Sequence, residues 1–136
     1  MAKSANSPIR IAVAEDEPDV RSTFVRLLEC LGHKVVCAAS NGEELIDGCI
    51  QGEVDIAFVD LDMPVVDGLA AAEVISERGI PVVLVSGHPD ARRVVVEKEP
   101  VVARITKPAT VDELQRVIKK AMNCRSPMAH PNSPKS

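Results

Sequence analysis

The sequence predicts an α/β fold, a doubly wound five-stranded parallel sheet with helices on both faces. Three observations predict it. Short β-branched apolar runs recur along the 136 residues, and segments with helical periodicity separate them. Several of these runs are apolar at nearly every position, as strands buried on both faces are. Connections between runs are too long for hairpins and suit helical crossovers.

Each element has its own signal. Ile9–Ala14 (IRIAVA), Lys34–Ala38 (KVVCA), Asp55–Val59 (DIAFV), Pro81–Val85 (PVVLV) and Val101–Ile105 (VVARI) each suit one strand. Pro18–Leu31 begins with Pro in a first turn, spaces Val20, Phe24, Leu27, Leu28 and Leu31 helically, and stops at Gly32. Asn41 is placed to cap a helix reaching about Ile50, with Glu43 and Glu44 in its first turn. Leu69–Arg78 is Ala-rich and ends at Gly79, and Thr110 opens a T-x-x-E capping box with Glu113 ahead of Leu114, Val117, Ile118 and Ala121. The fourth crossover, Asp90–Glu99, is the weakest: its Val94-Val95-Val96 triplet disfavours helix and Pro100 closes it, so a short or distorted helix is expected. Five βα units suggest the flavodoxin-like strand order 2-1-3-4-5.

Composition narrows the function. The chain is 46% apolar and 26% charged, with 20 acidic against 16 basic residues, a formal charge of −4. A nucleic-acid binder would need a basic face, and stacking platforms are missing because Phe24 and Phe58 are the only aromatic residues. No apolar run approaches a membrane span and no secretory signal is evident, so the expected location is cytoplasmic. Cys30, Cys37, Cys49 and Cys124 form no metal-ligand spacing and are expected to be reduced and mostly buried. Gly-rich nucleotide-binding motifs are absent. The expected domain spans 8–122, with disordered tails at 1–7 and 123–136; with no output domain in the chain, it is expected to stand alone.

Polar residues collect where strands end. Glu15 and Asp16 follow the first strand, Asp60 ends the third, Ser86 ends the fourth, and Lys107 lies beyond the fifth. In an open α/β sheet the carboxyl edge forms the ligand crevice. With strands about 4.8 Å apart, Asp60 lies beside both the Asp16 and the Ser86 strands, and the Lys107 stem can span most of the remaining distance. Three close carboxylates repel unless they share a cation, and oxygen-only ligands favour Mg²⁺. A carboxylate nucleophile, a hydroxyl, an ammonium and a metal are the components of phosphoryl transfer, here to Asp60.

The chain resembles the receiver domain of two-component response regulators. AEDEP (Ala14–Pro18), VDLDMPVVDG (Val59–Gly68), VLVSG (Val83–Gly87) and TKP (Thr106–Pro108) carry the resemblance over residues 8–122. It implies that Asp60 is phosphorylated by a sensor histidine kinase or histidine phosphotransfer protein. It also implies that Asp16, Asp60 and the backbone carbonyl of Asp62 ligate Mg²⁺, with Glu15 acting mainly through a water. Ser86 and Lys107 would bind phosphoryl oxygens, the Lys107-Pro108 bond would be cis, and Gly87 would leave room for the phosphoryl group. Asp62 and His88 lie where the family tunes the lifetime of the aspartyl phosphate. The downstream protein partner is unspecified, and a homodimer is one possible readout.

Two features depart from the family pattern. Arg104 stands where receivers usually carry the aromatic switch residue, and the weak fourth crossover falls on the usual signalling face. Two rival functions are weighed. Asp60-Leu61-Asp62 with Ser86 and Lys107 is similar to the haloacid-dehalogenase phosphatase pattern, but Glu15 and Asp16 lie upstream of the lysine, Pro64 replaces its Thr or Val, and no cap is present. A degenerate receiver acting as a phosphorylation-independent interaction module would not need the intact Glu15, Asp16, Asp60, Ser86 and Lys107 set. Outside this set, Asp67-Gly68 reads as turn chemistry and Arg92-Arg93 as a solvated face. The chain is therefore expected to be a phosphoacceptor and not an enzyme, beyond slow self-catalysed transfer and hydrolysis.

Overall fold

Five β-branched runs pair into one sheet in the computed structural model, which describes residues 8–60, 68–86, 101–106 and 109–124. The strands are β1 (Arg10–Ala14), β2 (Lys34–Ala39), β3 (Ile56–Asp60), β4 (Val82–Ser86) and β5 (Val101–Thr106). All four pairings are parallel and the order is β2-β1-β3-β4-β5, as the alternation of strand and helix predicts. Among the described residues four helices cover the sheet: α1 (Pro18–Cys30), α2 (Gly42–Gln51), α3 (Gly68–Ser76) and α4 (Val111–Cys124). The fourth crossover lies outside the described residues.

Strand alternation divides the core. Ile11, Val13, Ile56, Phe58, Val83, Val85 and Ile105 meet Phe24 and Leu28 of α1 and Leu114, Val117, Ile118 and Ala121 of α4. Ala12, Ala14, Ala57, Val59, Val82 and Leu84 turn to the opposite face, against Leu45 and Cys49 of α2 and Ala72 and Ile75 of α3. β3 and β4 are buried throughout, whereas the edge strand β2 alternates with exposed positions. That contrast follows from a central strand having neighbours on both sides and both faces.

Local signals act as read. Glu44 N–H donates to Asn41 Oδ1 at 2.9 Å. Glu113 N–H donates to Thr110 Oγ1 at 3.1 Å while Thr110 N–H donates to Glu113 Oε1 at 3.3 Å, the reciprocal capping box. α1 closes in a Schellman motif: Gly32 N–H donates to the Glu29 carbonyl, His33 N–H donates to that of Leu28, and Gly32 adopts φ +92°. α3 ends at Ser76 rather than Arg78, because Arg78 and Gly79 donate to carbonyls only three residues back and Gly79 turns to φ +83°. Among the described residues the cysteines are less buried than expected: Cys49 is buried, Cys37 half-buried and Cys30 exposed. Cys30 lies two residues, or about 200° of helical rotation, from the buried Leu28, so it faces solvent.

At the amino edge Arg10 and Asp55 lock β1 to β3. Arg10 N–H donates to Asp55 Oδ2 at 2.9 Å and Asp55 N–H donates to the Arg10 carbonyl at 2.7 Å. The Arg10 guanidinium also pairs with Glu53.

Gly48 is dictated by packing rather than by a turn. A Cβ there would stand 2.4 Å from Cys37 Sγ and 3.1 Å from Cys37 Cβ. Alanine gains roughly 1 kcal/mol of helix propensity over glycine, but overpacking of this kind costs about 1–3 kcal/mol. Gly48→Ala is therefore expected to lower stability by about 1 kcal/mol in urea unfolding. Adding Cys37→Ala should recover at least that amount relative to Gly48→Ala alone. An unchanged unfolding midpoint in Gly48→Ala would contradict the assigned clash.

Candidate active site at the carboxyl edge of the sheet

Strand register brings the acidic residues level. Ala14 of β1 pairs with Val59 of β3, so the next residues, Glu15 and Asp60, emerge side by side. Asp60 pairs with Val85, which sets Ser86 one step further along β4, and Ser86 pairs with Thr106 at the end of β5. Glu15, Asp60 and Ser86 are buried and Asp16 is half-buried. Parallel pairing continues into the β1–α1 turn, where Glu15 N–H donates to the Ala39 carbonyl at 3.0 Å. Pro18 then opens α1, its missing N–H being one that a helix start leaves unpaired in any case.

Glu15, Asp16 and Asp60 each present a carboxylate oxygen, and these oxygens lie within 4.8 Å of one another. Opposite ligands of an octahedral Mg²⁺ at about 2.1 Å stand about 4.2 Å apart, so a cluster of this size suits one such ion, held directly or through water. The donor set is also right in kind, since it offers only hard oxygens. Burial sharpens the need, because closely spaced carboxylates away from water repel strongly when all are charged. The arrangement can hold a hard divalent cation beside a buried carboxylate nucleophile.

The expected site residues are thus partly assembled. Glu15, Asp16 and Asp60 converge, and Ser86 lies on the neighbouring strand end. Arg104 is exposed on β5, opposite Leu84 in the ladder. Lys107, Asp62, Gly87 and His88 lie outside the described residues, as does the Lys107-Pro108 bond. The sequence reading did not single out Arg21, whose Nη1 donates to the Glu15 carbonyl at 2.8 Å. Its only sequence signal was a basic residue one helical turn into α1, too common to stand out.

The family model of the response regulator receiver domain matches residues 11–119. The chain belongs to the response regulator receiver domain family. Membership places it in two-component signalling. The transcriptional regulatory protein PdtaR of Mycobacterium tuberculosis is 29% identical over 120 residues, covering 85% of this chain and 58% of PdtaR. A protein-glutamate methylesterase/protein-glutamine glutaminase of Haloarcula marismortui is 35% identical over 83 residues, 60% of this chain but 22% of that protein. The chain thus spans between about a fifth and three fifths of the length of these relatives. Among solved structures, the signal receiver domain of a modulated diguanylate cyclase from Desulfovibrio desulfuricans superposes with TM-score 0.77 at 25% identity, covering 88% of this chain and 97% of that one. Response regulator TrrA of Thermotoga maritima, in complex with Mg²⁺-BeF, superposes with TM-score 0.74 at 27% identity over 83% of this receiver and 98% of TrrA. The family match favours the receiver reading over the phosphatase pattern. Among the described residues no helix is long and apolar enough to cross a membrane.

Proposed function

We propose that this receiver accepts a phosphoryl group on Asp60 from a sensor histidine kinase or histidine phosphotransfer protein, with Mg²⁺, and switches its protein-binding surface in response. The observation that carries this reading is the meeting of three carboxylate oxygens within 4.8 Å at the carboxyl edge, one of them from the last residue of a fully buried central strand. Asp16, Asp60 and the Asp62 carbonyl would ligate the ion, with Glu15 joined to it through an intervening water. A bound ion supplies positive charge that draws phosphoryl oxygens toward the carboxylates.

The residues of the chain do the rest. A carboxylate oxygen of Asp60 attacks phosphorus in line with the phosphohistidine nitrogen; the P–O bond forms, the N–P bond breaks, and the imidazole leaves with its electron pair. The Ser86 hydroxyl and the Lys107 ammonium donate to the transferring oxygens and offset their charge. By the family resemblance Gly87 would leave space for the group, and Asp62 and His88 would tune the lifetime of the acyl phosphate. Water later hydrolyses the acyl phosphate. The working unit is residues 8–122, acting in the cytoplasm on a protein partner or a second copy.

Arg104 takes the place of the aromatic switch residue. An exposed guanidinium cannot bury itself as a ring does, so it responds by changing acidic partners. The test is NMR of the beryllofluoride-bound chain: Arg104→Ala should lose the activation shifts around β5 while retaining those at Asp60. Retention of both would refute the exchange. The phosphoacceptor reading itself is tested by Mg²⁺-dependent labelling from acetyl phosphate. A label absent from wild type in saturating Mg²⁺ would overturn it and favour the phosphorylation-independent module.

A further inference from the structure

The turn that presents Glu15 and Asp16 leads directly into α1. Glu17 occupies the cap position of α1 without a side-chain cap hydrogen bond, and Pro18 follows with no N–H. Within the turn, Glu17 N–H donates to Glu15 Oε2 at 3.2 Å. The Glu15 and Asp16 carboxylates of this turn meet that of Asp60 from β3, their oxygens within 4.8 Å of one another.

Arg21 holds this turn from the side. It is half-buried on α1 and its Nη1 reaches back to the Glu15 carbonyl oxygen at 2.8 Å, a charge-assisted bond to the main chain. The same guanidinium is attracted to Glu44 on α2. The Glu44 carboxyl is held below its usual range first by hydrogen bonds from the Ser40 N–H and hydroxyl, and in smaller part by Arg21. Those Ser40 bonds measure 2.8 and 2.9 Å, and Ser40 directly follows Ala39, whose carbonyl receives Glu15 N–H. The β1–α1 and β2–α2 turns are therefore tied by the Glu15–Ala39 main-chain bond, with Ser40 bonded to Glu44 on one side and Arg21 bonded to Glu15 on the other.

We infer that Arg21 is a positioning residue for the divalent-cation site, holding the Glu15 carbonyl so that the Glu15 and Asp16 carboxylates stand ready for the ion. This rests on the reading of the acidic cluster as a cation site. The Arg21 bond ends on the Glu15 main chain, so it acts through the turn. A positive group near a cation site also repels the ion, but the attraction to Glu44 offsets part of that charge, and the main-chain bond decides the sign.

The test is Mg²⁺ titration of the full chain by calorimetry, with unfolding followed in EDTA as a control. Arg21→Ala should raise the Mg²⁺ Kd about tenfold, the lower end of the range for removing a group that orients a ligand. In acetyl phosphate labelling, the Mg²⁺ concentration for half-maximal rate should rise by the same factor while the rate at saturating Mg²⁺ stays at the wild-type level. Arg21→Lys, which keeps a donor, should recover most of the affinity. Should Arg21→Ala fail to fold, Arg21→Gln against Arg21→Met carries the comparison: both are uncharged, only Gln keeps a donor, and Met should bind about tenfold more weakly. Equal or tighter Mg²⁺ binding in Arg21→Ala, or a lower saturated rate with no change in half-saturation, would overturn the role. No Mg²⁺ binding by the wild-type chain would instead overturn the cation reading beneath it.

Discussion

Asp60→Asn is expected to remove phosphoryl uptake almost entirely, lowering the labelling rate from acetyl phosphate or a phosphohistidine donor by on the order of 10³ or more. The amide is nearly isosteric with the carboxylate, so β3 keeps its pairing with β1 and β4. What is lost is chemical. An amide oxygen carries no full negative charge and is a poor nucleophile, and the cation cluster loses one of its three anionic oxygens. Mg²⁺ binding should therefore weaken as well. Intact-mass spectrometry, with hydroxylamine lability as the mark of an acyl phosphate, measures the first effect and calorimetry the second. Wild-type labelling in Asp60→Asn would mean that another residue accepts the group.

Phe58→Ala should produce the largest loss of stability, about 4 kcal/mol. Phe58 is fully buried on β3, two residues before Asp60, and its ring meets that of Phe24 edge-on at 5.2 Å and 73°. Truncating a buried Phe costs about 3–5 kcal/mol, and the ring pair contributes about 0.5–1.5 kcal/mol beyond buried area. Phe58 forms part of the floor of an open pocket of about 450 Å³, with Phe24, Leu27, Val85 and Ala109. Truncation removes one of the chain's two phenyl rings and leaves Phe24 without its edge-on partner. A domain whose total stability lies at about 5–15 kcal/mol would be left close to unfolding. Urea denaturation followed by circular dichroism suits the measurement, since the chain has no Trp or Tyr. Phe58→Leu, which retains most of the volume, should lose about 1.5 kcal/mol or less. A loss under about 1 kcal/mol in Phe58→Ala would contradict the packing role.

Much of this architecture is legible without coordinates because its signals are local or periodic. Asn41 and Glu44, Thr110 and Glu113, and Gly32 and Gly79 act on backbone groups within a few residues, so type and spacing suffice to place them. The apolar runs of β3 and β4 announce burial on both faces by composition alone. Glu15, Asp16, Asp60 and Ser86 stand out because each lies where an apolar run stops, which in a parallel sheet is the binding edge.

Other features have no local signature. The Arg21 bond ends on a main-chain carbonyl, a group that every residue carries. The clash that keeps Gly48 a glycine involves Cys37, eleven positions away and on another element. The exposure of Cys30 depends on which stripe of α1 meets the sheet, and residue type misleads because cysteine is usually buried.

Element order, the parallel sheet, the helix caps and the chemistry-bearing residues at strand ends are written in residue type, because propensity, capping and burial act at short range. That Glu15 and Asp60 emerge level, that Ser86 stands one step beyond, and that Arg21 bonds to the acidic turn become visible in the folded chain alone. Those relations depend on strand register and on how helices seat against the sheet. Both are settled by packing between segments far apart in the chain, where no single residue carries the information.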